Sequence, residues 1–416
     1  MTLPPTPVPD DPPLVKRAWL VVGLLWVVGC LNYLDRVMII TMRGSIKEAI
    51  PMTDAQFGLL TTVFLITYGL LSPFGGFLAD RFSRTKIIIF SLVAWSATTW
   101  LTAHATTLGE LLTTRVLMGL SEACYFPAAG ALIADYHRNK TRSLANGIHL
   151  SGVMVGSGLG GIGGWLADGH GWKFAFELFG GGGVVFAIVL CFLLRDRPAE
   201  AALPNTAPVI APRVRLGEAI RSLFSQNAFI LALVFWGLLG LASWSFIGWM
   251  PTYLSEHFHL TQGKSGLLTT GYIYSGSLLG MLLGGAWADR WSLTQTRARV
   301  WVGVIGLCIA TPAVLLVAHA SVLGIVLAGL SIYGLTRAWP DANMMPIICQ
   351  ITDPRYRATG LGLLNAFATI VGGLTIYAGG ALRDAHVDII HVFECGAAGL
   401  LVCTVLLWCI RPRVVA

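Results

Sequence analysis

Windows of about twenty predominantly apolar residues recur along the whole chain, and each is long enough to cross a hydrocarbon core of about 30 Å. No other feature constrains the fold as strongly. Of the 416 residues, 55% are hydrophobic and only 12% charged, with a mean hydropathy of +0.71. A soluble domain carries about twice that share of charge. The fold class expected is therefore an all-α polytopic membrane protein. Twelve spans are predicted, near 18–42, 56–79, 86–104, 108–135, 143–167, 173–194, 228–255, 265–288, 300–319, 322–349, 358–381 and 390–410. An even number places both termini on one side.

The charges give an orientation. Residues 1–17, "MTLPPTPVPDDPPLVKR", are Pro-rich and polar and lack the pattern of a cleaved signal peptide, so the first span is expected to be retained. Of 28 Lys and Arg, twenty fall in segments on the face of the termini and five (Arg43, Lys47, Lys173, Lys264, Arg383) on the opposite face. That bias predicts cytoplasmic termini in a bacterial-type inner (plasma) membrane. Arg36, Arg115 and Arg337 fall inside spans. The net charge of +7 is thus a matter of topology, with no nucleic acid implied. Eight scattered cysteines show no CxxC spacing and read as small apolar fillers. His257 and His259 lie in a predicted outer loop and do not suggest a metal site. No nucleophile, base and orienting group recur at a recognisable spacing, so neither an enzyme nor a cofactor is expected. The Pro-, Ala- and Arg-rich stretch 195–227 reads as a linker between bundles 18–194 and 228–410, with tails 1–17 and 411–416.

Long membrane chains are commonly built from repeated bundles. "GLLTT" occurs at 58–62 and 266–270, followed by "GFLADRFS" (76–83) and "GAWADRWS" (285–292). The halves read as parallel repeats. "GLSEA" (119–123) aligns with "GLTRA" (334–338), each followed by an aromatic-Pro pair, so Glu122 corresponds to Arg337. The Gly ladders 152/156/160/164 and 276/280/284 are small-xxx-small seams for close helix packing.

An unpaired ion at the bilayer centre costs several kcal/mol, so intramembrane charges face a polar cavity or one another. Asp35, Arg36, Arg115, Glu122 and Arg337, with Asp341 one turn beyond, are the interior ionic residues. An acid beside an arginine in a cavity that alternately wets and dries can change protonation, which makes Asp35 and Glu122 the candidate proton carriers. Arginine stays charged and offers a bidentate fork, so Arg36, Arg115 and Arg337 are candidate anion binders. Tyr33, Tyr125 and Trp339 are candidate cavity aromatics, and Asp341 pairs most simply with Arg337. The plain alternative is that Asp35, Arg115 and Glu122 only hold spans 1 and 4 together.

"GGFLADRFSRTK" (75–86) resembles the signature of the major facilitator superfamily, with Gly76, Asp80, Arg81, Arg84 and Lys86 in place and Ser83 where Gly is usual. The resemblance implies twelve helices in two parallel-repeat six-helix bundles. It also implies a gating clamp between bundles that involves Gly76, Asp80, Arg81, Arg84, Asp289 and Arg290. "NYLDR" (32–36), "RVLMGLSEACYFPA" (115–128) and "GHGWKFAF" (169–176) resemble the anion:cation symporters, which take up sugar acids and other organic anions with protons. "GSGLGG" (156–161) and spans 2 to 5 also resemble the spinster transporters of lysophospholipids and sphingolipids. For the first half, the resemblance implies that the Asp-Arg pair of span 1 and the Glu of span 4 are coupling and binding residues. The chain is expected to work as a monomer among membrane lipids, on a small organic anion and protons. The rivals are lysolipid movement and a ligand-binding membrane sensor.

Overall fold

Apolar helices in lipid associate through close packing, so the seams between them decide where polar groups end up. The computed structural model describes residues 12–137, 141–197 and 216–411. Most of the N-terminal tail, linker residues 198–215, residues 412–416, the cations Arg138, Lys140, Arg213, Arg215 and Arg413, and the side chain of Asp80 lie outside the described residues.

Spans 1 to 6 are Pro12–Thr41, Asp54–Arg81, Arg84–Thr102, Leu108–Tyr136, Arg142–His170 and Trp172–Leu193. Spans 7 to 12 are Asn227–His257, Gln262–Ser292, Ala298–His319, Leu323–Ile351, Arg357–Asp384 and Ile389–Cys409. Eleven of these segments are long and apolar enough to cross a membrane. The twelfth, Leu323–Ile351, carries Arg337, Asp341 and Asn343 within its 29 residues.

The structure departs from the expected pattern at four places. Span 4 breaks into Leu108–Glu122 and Tyr125–Tyr136. Pro127 has no N–H to give the Ala123 carbonyl, and its ring crowds that group, so the helix stops immediately after Glu122. Span 5 breaks at Gly160-Gly161, between Arg142–Leu159 and Ile162–His170. A short helix, Arg43–Ala49, follows span 1. The expected linker contains the helix Leu216–Phe224, whose buried Ala219 and Leu223 face the protein while Glu218 accepts a 3.0 Å hydrogen bond from the Tyr356 hydroxyl. Its single apolar stripe is too short to stand out beside the Pro-rich residues before it.

The glycine ladders form the expected seams. A Cβ at Gly156 would overlap the Cys30 carbonyl of span 1, and one at Gly280 would overlap the Leu335 carbonyl of span 10. At the terminal face, Ser83 caps span 3 through Lys86 N and also donates to Asp196 at 2.5 Å. Burial pushes the Asp196 carboxyl up, but the bonds from Ser83 and Thr85 and the charge of Arg84 outweigh it and hold it below the usual range. Between the halves, span 2 lies along span 11 and span 5 along span 8.

Candidate functional site

The break after Glu122 places its carboxylate, fully buried, against span 1. Arg36 Nε donates to Glu122 Oε2 at 2.6 Å, and Arg36 is 7% exposed. Its faces are covered by aromatic rings, Tyr68 at 4.1 Å, Tyr33 at 4.6 Å and Phe64 at 5.2 Å from the ring centroids. Each such contact contributes about 0.5–2 kcal/mol when desolvated. Arg36 can therefore remain charged in this position even when its carboxylate partner is neutral.

Asp35, beside Arg36 in sequence, points elsewhere. Its Oδ2 accepts a 3.3 Å bond from Thr99 Oγ1 in span 3, while Oδ1 has no partner among the described residues. Arg115 is 2% exposed, donates to Thr102 Oγ1 at 3.0 Å and lies 5.6 Å from the Phe176 ring centroid. It is near enough to Asp35 and Glu122 to feel both charges. The first half thus gathers two acids and two arginines, of which only Arg36 and Glu122 are in direct contact. Thr99, Thr102, Phe64 and Phe176 complete this set. Threonines and phenylalanines in apolar spans carry no sequence signal of such a role.

In the second half Arg337 Nη1 meets Asp341 Oδ2 at 2.7 Å, one turn on, and Nε donates to Ser243 Oγ at 2.7 Å. These residues line a cavity of about 110 Å³ with Tyr274, Tyr333 and Met154, the last from span 5 of the other half. Asp341 is the more open partner, its side chain 46% exposed against 14% for Arg337. Pro340 leaves the Thr336 carbonyl without its helical donor beside Arg337, a second polar group at this depth.

Two expected cavity aromatics are engaged in packing. Tyr125 is fully buried, donates to the Leu25 carbonyl at 3.0 Å and lies 2.8 Å from His149 Nε2. Trp339 stands edge-on to Trp287 at 5.4 Å and fills the space over Gly284 and Gly306. Tyr33 lies against Arg36. Of the expected clamp, Arg84 pairs with Asp135 and Asp289 with Arg299 at 2.8 Å, each within its own half. Arg81 and Arg290 are exposed, and a Cβ at Gly76 would meet Pro127 at 3.9 Å.

The sequence model of the Major Facilitator Superfamily matches residues 25–375 and 238–415. Spinster homolog 3 of Danio rerio is 31% identical over 257 residues, 60% of this chain and 50% of that protein, so the chain spans about half of that relative's length. An MFS-type efflux pump of Mycolicibacterium smegmatis is 27% identical over 393 residues, 93% of this chain and 89% of that one. A solved bacterial homolog of the human lysosomal transporter Spinster, inward-facing and unoccupied, superposes with a TM-score of 0.78 at 22% identity, covering 96% of each chain. That likeness is one of fold.

Proposed function

The chain belongs to the major facilitator superfamily, and from that premise we propose that it carries a small organic anion, a sugar acid or similar carboxylate, together with a proton. The bundles 18–194 and 228–410 rock about the central charges, with both termini in the cytoplasm of a bacterial-type cell. Superfamily membership makes the chain a membrane transporter of some substrate. The pairing of Arg36 with Glu122 carries the finer reading.

The pair is closed when Glu122 is ionised, because the carboxylate occupies the guanidinium's donor. Protonation of Glu122 removes its charge and leaves Arg36 a cation held by Tyr33, Phe64 and Tyr68. A substrate carboxylate can then take the vacated place in bidentate fashion. Leaving a buried charge without its partner costs about 3–5 kcal/mol, so the protonated empty site favours an anion and the ionised site excludes it. One proton and one anion therefore enter together. Asp35 and Arg115 form a second acid and cation beside the first, placed to receive the proton as the site changes access. Arg337 and Asp341 face the same substrate from the other half.

Lysolipid movement is the second reading, favoured by the spinster relatives. There the arginines hold a phosphate head, and the apolar part of the cavity holds the start of the tail. Protection of the purified protein from heat separates the two. A hexuronate is expected to raise the melting temperature more at pH 5.5 than at pH 8. Protection by a lysolipid alone overturns the sugar-acid reading, and equal protection by hexuronate at both pH values overturns the coupling.

A further inference from the structure

The repeat "GLLTT" lies outside the central site, yet both copies occupy equivalent places between the halves. Thr62, which ends the first copy, donates to the Gly373 carbonyl of span 11 at 2.6 Å. Thr270, which ends the second, donates to the Gly158 carbonyl of span 5 at 2.7 Å. Both copies open on a glycine against the other half: a Cβ at Gly58 would come within 2.7 Å of the Ile376 carbonyl oxygen, and one at Gly266 within 2.8 Å of the Thr41 Cβ in span 1. Neither glycine tolerates a side chain while the halves stay this close.

Just before each copy, a span begins in the same manner. Thr53 caps span 2 by accepting from Gln56 N, and Thr261 caps span 8 by accepting from Lys264 N. The donors those threonines leave open are met from the other half. Asp384, ending span 11, accepts from Asp54 N at 2.8 Å and Ala55 N at 2.9 Å. Asp168, near the end of span 5, accepts from Gly263 N at 2.9 Å. The segments "LADGH" (166–170) and "LRDAH" (382–386) are themselves a repeat match. Free N–H groups and the helix dipole make a carboxylate favourable at such a helix start. All these bonds lie toward the face opposite the termini, where, among the described residues, an ionic brace adds to the seam of spans 2 and 11. Asp54 accepts from Arg43, Lys47 and, across the halves, Arg383, which also reaches Glu256 at 2.8 Å.

We propose that Asp168 and Asp384, capping in trans the spans that carry the two GLLTT copies, are a paired latch that holds the face opposite the termini shut. Rocking the halves apart pulls each aspartate off its helix start and each threonine off its carbonyl, so the open state loses both caps together. The device is independent of proton and substrate chemistry. It sets the resting balance between the two access states.

The test is a spin-label distance measurement on the full chain in nanodiscs, without substrate, in a cysteine-free background. One label pair sits at Glu48 and His386 across the braced seam, the other at Lys264 and His170 across the unbraced one. Loss of one cap is expected to raise the open population roughly fivefold in Asp168→Ala and in Asp384→Ala, and by about 25-fold in the double variant. Each single variant lengthens both distance distributions, because the halves move as bodies. Asp168→Asn keeps a capping acceptor and is expected to retain the wild-type distributions, which controls for folding. Unchanged distances in a folded double alanine variant overturn the latch. So does lengthening confined to the mutated seam, since that marks a local cap with no hold on access.

Discussion

In the proposed mechanism the buried pair of Arg36 and Glu122 is a switch as well as a brace. Their contact is direct, at 2.6 Å, but the rings of Tyr33, Phe64 and Tyr68 give Arg36 a second means of staying charged. Glu122→Gln mimics the protonated acid, and it is expected to bind a hexuronate with an affinity independent of pH, where the wild-type affinity falls as pH rises. Titration calorimetry at pH 5.5 and 8 checks this. Arg36→Ala strands Glu122 as an acid in an apolar setting, and a loss of about 3–5 kcal/mol in stability is the expected upper range where it stays ionised. Arg36→Lys keeps the charge but loses the fork, so its thermal stability should lie closer to wild type while anion binding is lost. The ionic residues of this site were legible in the sequence because charge inside an apolar window is costly. Which acid meets which arginine was not, since Asp35 and Arg36 are chain neighbours whose side chains diverge to Thr99 and Glu122.

At the scale of the helix, the interruptions lie close to the charges. Pro127 ends the first part of span 4 immediately after Glu122, and Pro340 sits between Arg337 and Asp341 in span 10. Pro127→Ala is expected to restore one continuous helix, keep or raise the melting temperature in detergent, and lower transport. A fall in both melting temperature and transport would mean that the break is a packing feature alone. The glycine seams are less forgiving. Gly156→Val drives methyl groups into the Cys30 carbonyl, and a destabilisation of about 1–3 kcal/mol or more is expected from overpacking, read as a lower melting temperature. Ladder spacing announced those seams in the sequence. The helix Leu216–Phe224 was hidden inside a segment that composition marks as linker, because two turns of amphipathic pattern are a weak signal beside many prolines and arginines. An aromatic residue near a charge in sequence can face either cavity or core, and tertiary packing sets which, as at Tyr125 and Trp339.

The whole molecule is two repeats whose equivalent groups carry different charges at the centre and matching contacts at one face. Twelve spans, the repeat and the superfamily were readable from apolar windows, the GLLTT offset and the ADR signature. The inter-half bonds of Thr62, Thr270, Asp168 and Asp384 were not, because a repeat shows that two segments are equivalent without showing what each touches. Among the described residues Arg84 and Asp289 pair inside their own halves, while the opposite face carries polar bonds between the halves. In the proposed cycle those contacts yield as the halves rock, and the central pair changes its charge as they do. The most direct test is proton flux in proteoliposomes that enclose a pH-sensitive dye, driven by an inward hexuronate gradient with no initial pH difference. The account predicts that the lumen acidifies with the wild-type protein and that Glu122→Gln abolishes acidification. Hexuronate entry without acidification in the wild type, or equal acidification in the variant, would contradict it.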